Sequence, residues 1–161
     1  MKIAIYPGSF DPITLGHLNI IRRAAVVFDK IIVCVMVNSE KDPMFNIEER
    51  VELVARVTKR LGNVEVDTSD LLLAEYAKKK GATIIIKGLR AMSDFEKEFQ
   101  MAIINKKMYP GLETVFLTAS EKYTYLSSTV VKEMARYGAD LGEFAPREII
   151  DDIIEKTINR R

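Results

Sequence analysis

Short runs rich in β-branched and other apolar residues recur at positions 2–6, 30–37, 64–67, 82–87 and 113–118. The stretches between them carry apolar residues at helical spacing, as in Ile20, Ile21, Ala24, Ala25 and Phe28. Strands alternating with helices predict a parallel sheet, and strands this apolar require cover on both faces, so the expected architecture is a doubly wound α/β sheet of five strands. Capping-box spacings at Asn46 with Glu49 and at Ser93 with Glu96 predict helix starts, and Gly81 and Gly138 stand just past predicted last turns. From Pro146 to the end, the pattern Pro-Arg-Glu-Ile-Ile-Asp-Asp-Ile-Ile-Glu predicts a C-terminal packing helix over about 146–161. Ligands of such folds sit beyond the carboxyl ends of the strands, which narrows the search for chemistry to the loops at 7–16, 38–46, 67–71, 88–93 and 119–127.

The 161 residues contain no repeat, low-complexity tract or linker, and the expectation is one domain over 1–161. Lys and Arg total 24 against 23 for Asp and Glu, a net charge of +1, so no long-range field draws the chain to nucleic acid or a membrane surface. Cys34 is the single cysteine and lies in the apolar run 31–37, which rules out an internal disulfide and predicts a packed, inert thiol. The first apolar run is broken by Pro7-Gly8, and no later run approaches membrane-spanning length; a soluble cytoplasmic protein is expected.

None of the eight glycines forms G-x-G-x-x-G or a Walker A spacing, so dehydrogenase and P-loop readings lack support. The first strand leads instead into Pro7-Gly8-Ser9-Phe10-Asp11-Pro12-Ile13-Thr14-Leu15-Gly16-His17, which runs directly into a helical pattern. A lone histidine is usually a solvated or packed residue. Here it opens a helix, where the dipole disfavours its protonation and a neutral ring can donate an N–H to phosphate oxygens. A second cluster, Lys87-Gly88-Leu89-Arg90, places two cations at the end of a buried strand. A third, Ser127-Ser128-Thr129, puts hydroxyls at the head of a helix, where at least one is expected to serve as an ordinary N-cap.

Together these residues resemble the nucleotidyltransferase superfamily, marked by a Gly-His pair after strand one and an Ile-Ser-Ser-Thr-like motif before a late helix. Within it the chain is similar to the phosphopantetheine adenylyltransferases, through residues 6–17, Pro43-Met44-Phe45 with Glu48-Glu49-Arg50, and Lys87-Gly88-Leu89-Arg90-Ala91. The match runs from residue 3 to about residue 135. The resemblance implies a Rossmann-like nucleotidyltransferase fold and transfer of the adenylyl group of ATP to 4′-phosphopantetheine. The products are dephospho-coenzyme A and pyrophosphate, on the way to coenzyme A.

It further implies that Ser9, Phe10 and His17 hold ATP phosphates, with Gly88, Leu89, Arg90, Glu98, Tyr123, Thr124, Tyr125, Leu126, Ser127, Ser128 and Thr129 completing the nucleotide site. Ser9, Lys41, Leu73 and Lys87 would contact phosphopantetheine, with Asn105 a further contact to its amide arm, and His17, Lys41 and Arg90 would carry catalysis. Magnesium bound with ATP and a hexamer of identical chains come with the family. Three positions depart from the pattern: Lys87 stands where the family often has arginine, Lys132 where the wider superfamily often has arginine, and Leu71 at a position often held by glycine. Two rival readings remain. A cytidylyltransferase or a pyridine-mononucleotide adenylyltransferase would share the phosphate scaffold but usually carries histidine where Thr14 stands; a non-enzymatic nucleotide-binding module resembling universal stress proteins would show a glycine spacing that is missing here.

Overall fold

The structure, a computed structural model, describes residues 1–37 and 42–160. Five strands alternate with helices: β1 (Ile3–Gly8), α1 (Leu15–Val27), β2 (Lys30–Met36), α2 (Ile47–Thr58), β3 (Val64–Ser69), α3 (Leu73–Lys80), β4 (Ile84–Leu89), α4 (Met92–Met108), β5 (Glu113–Thr118), α5 (Ser128–Arg136) and α6 (Ile150–Ile158). All pairings are parallel, in the order β3-β2-β1-β4-β5. The expected doubly wound α/β sheet is therefore the one observed.

Alternation along the central strands divides two cores. Ala4, Tyr6, Ile31, Val33, Val35 and Ile86 face α1, α2, α5 and α6, while Ile5, Ile32, Cys34 and Ile85 face Ala74, Tyr76 and Ala77 of α3. The tail forms α6 as expected, with Ile149 and Ile153 fully buried, although Pro146 precedes a 3-10 turn at Arg147–Ile149 and not the α-helix itself. Among the described residues no helix is long and apolar enough to cross a membrane.

Several boundaries differ from the sequence expectation for identifiable reasons. β1 runs on through Pro7 and Gly8, which pair with Cys34 and Val35 of β2, and β4 runs on to Leu89, so the site motifs begin on strand ends and not in loops. β4 starts at Ile84 because Ala82 belongs to the end of α3. Its N–H bonds the Ala77 carbonyl, that of Gly81 bonds Lys78, and Gly81 takes φ 66°, a Schellman turn. The Asn46–Glu49 capping box forms in both directions at 2.8 Å. The expected start of α4 at Ser93 is corrected: the helix begins at Met92 with no side-chain cap, because the Asp94 carboxylate binds the Arg90 N–H at 3.2 Å and draws the helix start towards β4.

Cys34 has no exposed surface, and burial pushes its thiol up to about 11. The native protein should leave a disulfide thiol reagent unreacted over hours and release one equivalent of thiolate on denaturation. Rapid labelling with the fold intact would contradict the packing of β2.

Candidate active site

The chain winds outward from β1 to β3 on one side of the sheet and crosses back to β4 on the other, so adjacent loops diverge between β1 and β4. A cleft of about 260 Å³ opens there, at the carboxyl ends of these strands. Tyr6 and Gly8 of β1 form one wall with Phe10 and His17; Lys87, Gly88 and Arg90 form another with Glu98 of α4; Tyr123, Leu126, Ser127 and Ser128 close the third. The three clusters seen in the sequence thus converge.

His17 occupies the third position of α1. Its backbone N–H donates to Thr14 Oγ1 at 3.2 Å, and the Thr14 N–H donates to His17 Nδ1 at 3.0 Å, a capping box with imidazole in the place usually taken by Glu or Gln. Because Nδ1 accepts, the proton of the neutral ring sits on Nε2. Burial lowers the pKa of the ring to about 4, with Arg90 and Lys87 adding to the effect. The folded protein thus disfavours a proton that the unfolded chain accepts below about 6.5, so His17 contributes no pH dependence to stability above that value and progressively destabilises the fold as pH falls towards 4. As the sole histidine it gives one resolved imidazole signal, and its NMR titration should have a midpoint near 4. A midpoint near 6.5 would contradict this environment.

The loop after β1 is held from several sides. Phe10 is buried with φ 47°, a left-handed conformation unusual for a bulky residue, and its ring meets the His17 ring edge-on at 5.1 Å. A Cβ at Gly8 would lie 3.0 Å from two Phe10 ring carbons, so any larger residue there would press on the buried ring. The buried Arg50 donates to the Ser9 carbonyl at 3.0 Å. Ser127 is an N-cap, accepting from the Val130 N–H at 3.2 Å, and the Ser128 hydroxyl donates to the Pro12 carbonyl at 2.8 Å.

Arg90 donates to the Leu126 carbonyl at 3.1 Å and pairs with Asp94 at 3.0 Å, which fixes its guanidinium between β4 and the 123–128 turn. Lys87 pairs with Glu98 at 3.2 Å. These two residues also line a second cavity of about 130 Å³, together with Leu73, Met101, Asn105 and Thr114. Leu73, Lys87 and Asn105, expected to act together on an acceptor, are therefore neighbours, and Lys87 stands where the two cavities meet. Ser9, Leu89, Thr124, Tyr125 and Thr129 do not line the cleft; Thr124 bonds the Glu121 carbonyl and Tyr125 packs edge-on against Phe144. Lys41 lies outside the described residues.

Tyr6, Asp11, Thr14 and Arg50 belong to the site or its support without having been expected there. Thr14 had a signal, three residues ahead of His17. Asp11 had none, since its partners are remote in sequence. Among the described residues no three His, Cys, Asp or Glu side chains are grouped as metal ligands, and the cleft carboxylates of Asp94 and Glu98 are each paired with a cation. That set offers no protein cage. A magnesium ion arriving with ATP would have to keep most of its ligands as water and substrate phosphate.

The cytidylyltransferase-like family model matches residues 5–134. A phosphopantetheine adenylyltransferase of Caldanaerobacter subterraneus subsp. tengcongensis is 58% identical over 156 residues, covering 97% of this chain and 98% of the relative. The Clostridium botulinum (strain Hall) enzyme of the same name is 55% identical over 161 residues, covering 100% of this chain and 98% of its own. A solved Plasmodium falciparum nicotinic acid mononucleotide adenylyltransferase superposes with a TM-score of 0.67 at 13% identity, over 99% of this chain and 95% of that one, a likeness of fold alone. With close relatives matched nearly end to end and the Gly-His, Lys-Gly-Leu-Arg and Ser-Ser-Thr clusters around one cleft, the chain belongs to the phosphopantetheine adenylyltransferase family of cytidylyltransferase-like nucleotidyltransferases.

Proposed function

We propose that the protein transfers the adenylyl group of ATP to 4′-phosphopantetheine, releasing pyrophosphate and forming dephospho-coenzyme A for coenzyme A biosynthesis. Beside the family relationship, one observation supports this most: Lys87 lies at the junction of the nucleotide cleft and the cavity lined by Leu73 and Asn105, where an acceptor phosphate would meet the α-phosphorus of ATP.

The attacking oxygen belongs to a phosphate monoester, whose second pKa is about 6, so it is ionised at neutral pH and needs no general base. Catalysis reduces to alignment and to stabilising charge on the phosphoryl oxygens. His17 donates from Nε2, Arg90 supplies a fixed guanidinium, Lys87 leaves Glu98 for the acceptor phosphate, and Lys41 bridges the reacting phosphates. Phe10, Gly88, Glu98, Tyr123, Leu126, Ser127 and Ser128, which line the cleft, complete the nucleotide contacts. Magnesium, if bound with ATP, would neutralise part of the triphosphate charge beside Arg90 and Lys87.

The protein acts in the cytoplasm as a homo-oligomer, a hexamer by family. An assembled form is supported by α4, whose one buried residue is Asn105 while Met92, Phe99, Ile103, Ile104 and Met108 are exposed. A pyridine-mononucleotide acceptor is disfavoured because Thr14, where such relatives usually carry histidine, caps α1 with its hydroxyl.

The test is pyrophosphate release with ATP or CTP against a panel of phosphorylated acceptors. ATP with 4′-phosphopantetheine and magnesium should be the active combination. Equal rates with nicotinamide mononucleotide, or with CTP, would overturn the assignment.

A further inference from the structure

Asp11 and Lys132 form an ion pair at the loop after β1 (residues 9–14, the phosphate loop), and neither residue lines the cleft. Asp11 is 2% exposed. Its Oδ1 accepts the Phe45 N–H at 2.8 Å, and its Oδ2 accepts both the Met44 N–H at 2.9 Å and Lys132 Nζ at 2.7 Å. One carboxylate thereby joins the loop after β1, the chain leading into α2, and α5 one turn beyond its start. Ser128 anchors the first residue of α5 to the same loop through Pro12, so α5 is tied there at two points a turn apart.

This attachment bears on the reacting geometry. Ser127 and Ser128 at the start of α5 and His17 at the start of α1 face one cleft, and their spacing depends on how α5 sits against residues 9–14. Lys132 does not line the cleft, and its ammonium is engaged by Asp11.

We infer that Asp11 and Lys132 are a pair of positioning residues that set the start of α5 against the phosphate loop, and that Lys132 serves the transfer through Asp11 without gripping the triphosphate. The inference rests on the adenylyl-transfer assignment and goes beyond it: the arginine common at position 132 in the wider superfamily suggests a direct phosphate contact, whereas here the cation is committed to a buried carboxylate.

A double-mutant cycle of Asp11→Asn, Lys132→Met and both together, with Lys132→Arg as the conservative variant, tests it. Kinetics are run well below each variant's melting midpoint, and ATP affinity is measured by calorimetry. The parent's turnover, measured first, tests the assignment of the reaction; the ratios of variants to parent test the pair. Each single change should lower kcat about tenfold with ATP Kd moved less than about threefold, the double variant should be no slower than the worse single, and Lys132→Arg should keep most of the rate. Loss of ATP affinity by about tenfold in Lys132→Met, with effects multiplying in the double variant, would make Lys132 a direct ligand and overturn the inference. Unchanged kcat below the melting transition would reduce the pair to a structural brace and overturn it equally. Should Asp11→Asn fail to fold, the two Lys132 variants decide on the same criteria.

Discussion

His17→Ala should lower kcat by about 100-fold or more while changing ATP affinity far less, the pattern left by removing a donor to charge that develops during transfer. That loss corresponds to about 2.7 kcal/mol or more of transition-state stabilisation. The structure adds a second consequence. Because Nδ1 closes the cap of α1 through Thr14, the substitution should also cost about 1 kcal/mol of folding stability, a drop of about 2–4 °C in the melting midpoint for a chain of this size. His17→Gln separates the two roles, since Gln at this position can accept the Thr14 N–H: it should restore most of the melting temperature and little of the rate. Steady-state kinetics, ATP titration and melting curves on both variants are the measurements. Near-normal kcat in His17→Ala, or a loss that merely tracks the melting temperature, would return His17 to a capping role.

Lys87→Ala should weaken 4′-phosphopantetheine binding by about 10- to 100-fold, the worth of about 1.5–3 kcal/mol for a hydrogen bond to a charged group. ATP affinity should move only a few-fold. The asymmetry arises from the position of Lys87 between the two cavities and from its present partner, Glu98, which a bound phosphate would replace. Lys87→Arg should be tolerated where the cavity admits a guanidinium, giving a bidentate grip instead of a point charge. Calorimetric titration of each substrate reads the difference directly. Equal losses for both would assign Lys87 a general electrostatic role in the cleft.

Much of this architecture was legible because it depends on local pattern. β-Branched runs marked all five strands, and the Asn46–Glu49 box and Gly81 formed the caps their spacing predicts. The start of α4 was not legible, because the carboxylate that draws it forward, Asp94, answers to Arg90 at the end of β4. The same boundary separates the readable from the unreadable in the site. His17 at a helix start and the Lys87–Arg90 cluster at a strand end could be read as phosphate chemistry, whereas the tautomer of His17 depends on a hydrogen bond to Thr14 that only coordinates reveal. Asp11 falls within the 6–17 segment that carries the resemblance, yet the resemblance assigns it no role; its partners at Met44, Phe45 and Lys132 lie 33, 34 and 121 residues away. That Leu73, Lys87 and Asn105 would act on one acceptor was implied by family resemblance alone, since no periodicity links a helix start, a strand end and the last turn of α4.

An acceptor phosphate oxygen is expected to attack the α-phosphorus of ATP, with pyrophosphate as the leaving group. The most direct measurement traces 4′-phosphopantetheine labelled with ¹⁸O in its phosphate through turnover, with ³¹P NMR and mass analysis of both products. The account predicts that all of the label remains in dephospho-coenzyme A, in its new diphosphate, and that the released pyrophosphate is unlabelled. Label in the pyrophosphate, or release of AMP or ADP as the nucleotide product, would contradict it.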